Sequence, residues 1–337
     1  MDLLILFGAL IILLVIGVPV AFSLGLASLA AMVYLDIPLV VAFQRMAAGM
    51  NVFALMAIPF FIYAGELMNQ SGIAERLVKF AHSLLAGVRG GLGLVNVSSS
   101  MMFGAISGSA VASASAMGST LIPMMKKQGY DADYAVNVTG TAATTGLLIP
   151  PSHNMIIYAI SAGGGLSIGS LFLAGIVPGI LLGLGLMLVT YLVAVKRDYP
   201  RGTFPGWSQV LRHFIGALPG LFTVFIILGG ILSGVFTATE SSAIAVIYTV
   251  IVAVFVYRSL NWNSFVTASI NAVKTTAMIL LIIGAAGSFG WLLAVMEVPV
   301  QLSTALLTIS ENPLIILLIV NLILLMLGTF MDMSPLI

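Results

Sequence analysis

The sequence predicts an all-α protein that crosses a membrane several times, and three observations lead to this fold class. Of its 337 residues, 61% are hydrophobic and only 7% are charged, whereas about a quarter of a soluble domain is charged. Long apolar stretches recur, and a spanning helix needs about 20 such residues. Helices are expected because they pair their own backbone groups, which lipid cannot do. The predicted apolar segments are residues 3–35, 51–70, 131–162, 167–195, 214–233, 236–258, 266–296 and 313 onward.

The composition also excludes several classes of function. The net charge of +1 argues against a nucleic-acid surface, because phosphate binding needs clustered Lys and Arg. The chain has no Cys, which excludes disulfides, thiolate metal sites and thiol nucleophiles. An intramembrane hydrolase is a remote alternative, because the chain has no Gly-x-Ser-Gly, HExxH or Gly-x-Gly-Asp motif and its three His are dispersed.

Basic residues predict the orientation, because they accumulate in cytoplasmic loops. The one substantial hydrophilic loop, residues 196–213, holds four of the twelve Lys and Arg and is predicted to be cytoplasmic. Residues 73–89 mix basic with apolar positions, which is typical of an amphipathic helix lying along the interface. This lateral helix is predicted on the same side.

Residues 92–126 are predicted to enter the membrane and return as a re-entrant helical hairpin. The stretch is too long for one straight crossing and is rich in small polar residues. A break over 107–110 leaves two arms of about 15 residues, or about 22 Å each. Non-helical backbone persists at membrane depth only inside protein or beside a wet cavity, so Ser107, Gly108 and Ser109 at the tip are predicted to bind ligand.

Small residues on the second arm leave two interpretations open. Ser113 on this arm is a candidate substrate contact. Small residues at helical spacing also allow close helix packing with no further role.

The segment 131–162 is predicted to be a broken helix. Gly146 and the pair Pro150-Pro151 lie in the middle of it, and Pro both removes a donor and clashes with the preceding turn. The chain is expected to unwind over 144–151 and to resume as a second half-helix. A proline kink stabilised by neighbouring helices is the alternative.

This break has a chemical use. Freed carbonyls from Gly146 onward, assisted by the hydroxyls of Thr144 and Thr145, are suited to a hard cation such as Na⁺. The N–H groups and positive dipole at the start of the new half-helix are suited to a carboxylate. The candidate substrate contacts there are Ser152, His153 and Asn154, although a structural role for the His is also open.

An internal repeat is predicted at an offset of 225 residues. Gly65 and Asn96 mark the end of a span and the start of a hairpin, and Gly290 and Asn321 recur at that offset in a similar order. Four crossings separate the copies, which predicts inverted topology, common in secondary transporters. The second hairpin tip is expected at Gly328, Thr329 and Asp332, the last supporting a cation site, and a C-terminal truncation is suspected. The predicted division is 1–50, N-terminal scaffold helices; 51–166, first transport repeat; 167–260, further scaffold helices; and 261–337, start of the second repeat.

Several motifs resemble one family. The runs SGSAVASASAMGSTLIPMM, TGLLIPPSHNMIIYAIS, LFLAGIVPG, GVFTATESSA and GTFMDMSP are similar, in order and spacing, to the large membrane (DctM) subunit of tripartite ATP-independent periplasmic (TRAP) transporters. The resemblance implies an elevator-type, sodium-coupled transporter of the bacterial inner membrane. It places the sodium and substrate region on Ser107, Gly108, Ser109, Thr144, Thr145, Gly146, Pro150 and Ser152, with Gly328, Thr329 and Asp332 in the second repeat.

The resemblance also implies partners and substrates. The partners are a small four-helix membrane subunit and a periplasmic substrate-binding protein. The substrates are small organic acids, such as C4-dicarboxylates, sialic acid or sugar acids, carried with Na⁺. A stand-alone sodium- or proton-coupled carrier of the same architecture is the alternative.

Overall fold

The computed structural model describes residues 1–163, 165–329, 333 and 337. Apart from a single bridge between Arg89 and Arg201, every regular element in this part of the chain is helical, which confirms the predicted all-α class. A 3-10 turn covers Phe53–Met56 and a π-helical turn covers Val252–Val256. The helices are α1 (Asp2–Val15), α2 (Val20–Tyr34), α3 (Val40–Met50), α4 (Ala57–Gln70), α5 (Ile73–Leu85), α6 (Gly91–Ser107), α7 (Ala110–Lys127), α8 (Ala132–Ala143), α9 (Thr145–Leu148), α10 (His153–Ser161), α11 (Ile168–Lys196), α12 (Trp207–Leu232), α13 (Ala238–Ile251), α14 (Trp262–Val295), α15 (Val298–Ile309) and α16 (Pro313–Gly328).

Within the described residues, four helices are long and apolar enough to cross a bilayer. They are α11, α12, α13 with its π-helical turn, and α14, and a bent pair formed by α3 and α4 makes a possible fifth. Their charge-poor sequences agree with the predicted polytopic membrane protein. Several other helices are apolar but shorter.

Two predicted segments differ in detail from the structure. The apolar run 3–35 forms two helices, α1 and α2, because Gly17 takes φ 90° and the following Pro19 cannot continue a helix. The predicted loop 196–213 is shorter, since α11 ends at Lys196 and α12 already begins at Trp207. Arg212 and His213 therefore lie on a helix.

The chain divides into two compact units. One comprises Met1–Phe53 and Thr275–Ile337, and the other comprises Ala54–Lys274. In the first, α1 packs against α2, and Leu6, Leu24 and Phe289 share one apolar cluster. The second contains the whole predicted hairpin and broken helix. The four-part division into scaffold and transport segments stays a prediction.

A local backbone conformation recurs at the predicted offset. Gly72, before α5, and Glu297, before α15, both take the left-handed conformation, with φ 72° and 55°. These two residues are 225 positions apart, and each is followed by a helix of 12 or 13 residues. Inverted placement of the two copies in a membrane stays a prediction.

In the larger unit, α6 packs against both α7 and α8. Its buried Asn96 donates to the Thr139 hydroxyl of α8 at 2.7 Å and to the Met125 sulfur of α7 at 3.7 Å. Both Asn96 and Thr139 are almost fully buried. This polar contact joins the hairpin to the broken helix.

The foot of the hairpin is fixed by an aromatic and ionic cluster. The rings of Tyr130, Tyr134 and Tyr199 lie with centroids 4.5 to 6.0 Å apart. Arg197, directly after α11, pairs with Asp131 at 2.9 Å and also with the neighbouring Asp133. Tyr199 donates to Asp131 at 2.7 Å, and burial, followed by this hydrogen bond, raises the pKa of Tyr199. The cluster joins the start of α8 to the end of α11.

We expect Thr139→Val to destabilise the protein by about 1–3 kcal/mol, because the buried Asn96 amide would lose its strongest partner. Thr249→Val is the matched control, since Thr249 is equally buried but its hydroxyl donates only to Ala245 of its own helix. Thermal unfolding in detergent would measure both variants. Equal midpoints for the two variants would contradict a stabilising role for the contact between α6 and α8.

Candidate functional site

The hairpin turns at the predicted place. Helix α6 ends at Ser107, Gly108 takes the left-handed conformation with φ 63°, and Ser109 is extended. The Ser109 side chain accepts from the Ala112 N–H at 3.3 Å and so caps α7, as Ser does at helix starts. The arms have 17 and 18 residues rather than about 15, which gives each a length of about 26 Å. A helix–turn–helix is present at the predicted place, and its re-entry into a membrane stays a prediction.

The predicted break in the second helix is present but narrower. Residues 145–148 remain helical as α9, the chain unwinds only over 149–152, and α10 then begins at His153. The Ile149 N–H still donates to the Thr145 carbonyl at 2.9 Å. The carbonyls of Gly146 and Leu147 lose their usual donors, because the residues four positions later are prolines without an N–H.

The hairpin tip lies directly against this break. A Cβ atom added at Gly104 would lie 2.5 Å from the Gly146 Cα, so the two backbones touch. A Cβ at Gly108 would lie 2.5 Å from the Pro151 carbonyl oxygen and 3.3 Å from the Ser152 Cα. Real Cβ contacts are essentially never as short as 2.5 Å. The tip and the break therefore form one compact site.

Neutral oxygen atoms line this contact. Ser107, Thr145 and Ser152 are 0 to 2% exposed, and the Ser152 hydroxyl has no hydrogen-bond partner among the described residues. Thr145 donates to the Ala142 carbonyl at 2.7 Å, which leaves the hydroxyl oxygen able to accept or ligate. The exposed Thr144 likewise donates within its own helix at 2.7 Å.

The remaining first-repeat candidates have different positions. Ser113 is fully buried and donates to the Ser100 carbonyl of α6 at 3.5 Å, so it joins the two arms of the hairpin. His153 and Asn154 are buried in the first turn of α10, 8% and 2% exposed. Pro150 is joined to Pro151 by a cis peptide bond.

The second-repeat candidates are less enclosed. Gly328 ends α16 and Thr329 follows it, both exposed. Asp332 lies outside the described residues. Within the described part of the chain, no group of three or more His, Asp or Glu could hold a metal ion. The ligands that this part of the chain offers are carbonyl and hydroxyl oxygens.

Sequence reasoning missed the glycines that make the site compact. Besides Gly104, three glycines at four-residue spacing on α11 allow close packing, two of them against the broken helix and one against α6. A Cβ at Gly175 would lie 2.5 Å from the Leu148 carbonyl oxygen, and one at Gly179 would lie 2.7 Å from the Ile149 side chain. Gly183 is similarly occupied by Met101 of α6. Their i, i+4, i+8 spacing was the available signal, because small residues so placed let helices approach closely.

Nearly the whole chain matches one family by sequence. Residues 7–337 match the family described as "Tripartite ATP-independent periplasmic transporter, DctM component". The chain belongs to the DctM family of TRAP transporters. It is therefore a transporter subunit and not an enzyme, which removes the hydrolase alternative, and it is a multi-pass protein of the bacterial inner membrane.

Three relatives illustrate the family. The chain is 38% identical over 317 residues to the sialic acid TRAP transporter large permease protein SiaM of Vibrio cholerae, covering 94% of this chain and 74% of that protein. It is 38% identical to the C4-dicarboxylate TRAP transporter large permease protein DctM of the same species, covering 96% and 76%. It is also 38% identical to the isethionate TRAP transporter permease protein DctMQ of Oleidesulfovibrio alaskensis, covering 97% and 52%.

We expect Gly146→Ala to destabilise this DctM protein by about 1–3 kcal/mol, because the added methyl group overpacks the contact with Gly104. Gly140→Ala on the preceding helix α8 is the matched control, since nothing lies within 4 Å of its Cβ position. There the replacement is expected to stabilise by up to about 1 kcal/mol, the usual gain for Ala over Gly in a helix. Thermal unfolding should show a lower midpoint for Gly146→Ala and a higher one for Gly140→Ala. Midpoint shifts of the same sign and size would contradict the close approach of Gly146 to Gly104.

Proposed function

We propose that this DctM protein is the large subunit of a sodium-coupled importer of small organic acids. The observation that carries the proposal is the contact between the hairpin tip at Gly108 and the unwound segment at Pro151 and Ser152. Two interruptions of helical backbone come together there, and in secondary transporters such interruptions hold ions and anionic substrates.

The proposed sodium ligands are neutral oxygens on both sides of the contact. Ser107 and the carbonyl of Ser109 belong to the hairpin, and a Cβ at Gly146 would lie 3.6 Å from that carbonyl oxygen. The broken helix contributes Thr145 and the carbonyl of Gly146. That carbonyl receives no helical hydrogen bond, because Pro150, four residues later, has no N–H. Hard cations prefer oxygen ligands of this kind. In the second repeat, Gly328, Thr329 and Asp332 are proposed to form the counterpart.

The proposed substrate site is the start of α10. The N-terminal end of a helix carries a partial positive charge, which suits an anion. Ser152, His153 and Asn154 occupy this start, and Ser109 and Ser113 belong to the hairpin beside it. Sialic acid, C4-dicarboxylates and isethionate, named for the relatives, all carry an acidic group that is ionised at neutral pH. We therefore propose an organic acid as the substrate.

Coupling follows from the shared position of the two sites. Sodium bound between tip and break would hold the start of α10 in place and so raise the affinity for the anion. By linkage, the anion then raises the affinity for sodium by the same factor. Transport is proposed to occur by an elevator-type movement of the hairpin-bearing part relative to scaffold helices.

The proposed partners are a periplasmic substrate-binding protein and a small four-helix membrane subunit. The family description contains the words tripartite and periplasmic, and the name of a relative contains "large permease protein", which implies a smaller one. A stand-alone carrier is the alternative. Uptake that needs neither partner would favour it.

Uptake by proteoliposomes that contain the protein with its partners is expected to require an inward sodium gradient. A panel of labelled organic acids would be scanned with Na⁺, and with choline replacing Na⁺ at equal concentration. We expect uptake of at least one acid, lost when choline replaces sodium. Equal initial rates in the two salts would contradict sodium coupling without contradicting transport.

We expect Thr145→Val to raise the sodium concentration for half-maximal uptake about tenfold, because a lost hydrogen-bonding or ligating oxygen costs roughly 1–2 kcal/mol. The maximal rate at saturating sodium should change much less. Thr141→Val, one turn earlier, is the matched control, since Thr141 is exposed and donates to its own helix at 2.7 Å. Identical sodium curves for both variants would remove Thr145 from the proposed site.

A further inference from the structure

A cavity lined by charged side chains, with no residue of the hairpin tip in its wall, lies on the side predicted to be cytoplasmic. It has a volume of about 460 Å³ and lies where α5, α12 and the segment after α13 meet, within the larger unit. Its wall holds three permanent cations, Arg76, Lys79 and Arg212, against one acid, Glu75. The proposed transport mechanism does not use this cavity.

Two of the three cations lack an acidic partner. Lys79 pairs with Glu75 at 2.7 Å, whereas neither Arg76 nor Arg212 forms an ion pair with any described residue. The His213 side chain also lines the cavity, and its Nδ1 atom is buried without a hydrogen-bond partner in the described structure. The cavity therefore carries a surplus of two positive charges and an unused imidazole nitrogen.

The cavity wall is held in place by side-chain contacts. The Arg76 guanidinium carbon lies 4.0 Å from the ring centroid of Tyr257, a cation–π arrangement. Tyr257 donates to the Gly216 carbonyl of α12 at 2.8 Å, and Ser259 donates to the Ser71 carbonyl at 2.7 Å. Arg76 is thus fixed beside the cavity before any ligand binds.

The surface next to the cations is apolar. Trp207, Leu211 and Ile215 recur every four residues along α12 and are 75%, 59% and 59% exposed. Arg212 lies at the edge of this stripe, near the end of the helix that is predicted to face the cytoplasm, and His213 lies on the cavity side of the helix. Cations at the end of a membrane span, followed by exposed apolar side chains, match a molecule with a phosphate headgroup and acyl chains.

We propose that this cavity binds the headgroup of an anionic phospholipid. Arg76 and Arg212 bind the phosphate, His213 contacts a polar headgroup atom, and the acyl chains lie along Leu211 and Ile215. The lipid would occupy the place where lateral helix α5 meets α12. The site would be separate from the proposed sodium and substrate site.

The test is native mass spectrometry of the detergent-solubilised protein titrated with phosphatidylglycerol or phosphatidylcholine. We expect the first phosphatidylglycerol to bind about tenfold more tightly, because each cation near a membrane surface contributes about 1 kcal/mol of attraction to anionic lipid. The double variant Arg76→Gln/Arg212→Gln should lose this preference. If the variant that lacks Arg76 fails to fold, Lys79→Gln/Arg212→Gln replaces it, because it leaves the packed Arg76 in place. This second variant should lose most of the preference for phosphatidylglycerol.

The matched control is Lys127→Gln/Lys196→Gln. It removes the same charge from two exposed lysines on the same predicted side, neither of which lines the cavity, and it should keep the tenfold preference. A retained preference in both cavity variants, or an equal loss in the control, would overturn the proposal. Displacement of the bound lipid by millimolar inorganic phosphate would assign the cavity to free phosphate instead. That result would overturn the proposal of a lipid site.

Discussion

The site depends on backbone-to-backbone contact between the hairpin and the broken helix. Gly104 meets Gly146, and Gly108 meets Pro151, at separations that leave no room for a Cβ atom. Carbonyl oxygens and N–H groups have fixed positions on a backbone, whereas side chains must be held in one rotamer by their neighbours. A site built from touching backbones is therefore rigid as soon as the helices pack. The glycines of α11 extend the same construction to the far side of the break.

This construction would allow a nearly uncharged region to hold the proposed ions. A buried carboxylate without a partner is costly, and in the first repeat the described site has hydroxyls and carbonyls instead of acids. Such ligands carry no charge, so the region does not need an ion in order to remain folded. The proposed sodium would supply the positive charge that the anion meets, and each would bind weakly without the other. Weak separate binding favours release as well as coupled uptake.

The sequence predicted the architecture well wherever a local rule was strong. The break at Gly108 was expected because small polar residues divide a charge-free stretch, and the interruption before α10 was expected because two prolines lie inside an apolar helix. The bounds were less accurate. Thr144 to Leu148 were predicted to unwind. The two prolines remove only the donors to the Gly146 and Leu147 carbonyls, and the Ile149 N–H still bonds to the Thr145 carbonyl, so α9 persists.

What could not be predicted was the partner of each surface. Gly104 is one of 35 glycines, and only the packed structure shows that it touches Gly146. Ser113 illustrates the same limit, because packing and binding require the same residue type at the same spacing, and the structure places it between the hairpin arms. The run 3–35 was divided by Gly17 and Pro19, a weak signal within a strongly apolar stretch.

The cluster at the foot of the hairpin combines two interactions that respond differently to dissolved salt. The Arg197, Asp131 and Asp133 side chains are 39 to 59% exposed, so counterions screen their attraction and each pair contributes little. The three tyrosine rings packed beside them are held mainly by burial, which such screening does not weaken. The cluster is therefore expected to persist from dilute buffer to high ionic strength. If sodium stabilises this protein and an equal concentration of another monovalent cation does not, the effect would then originate outside this cluster.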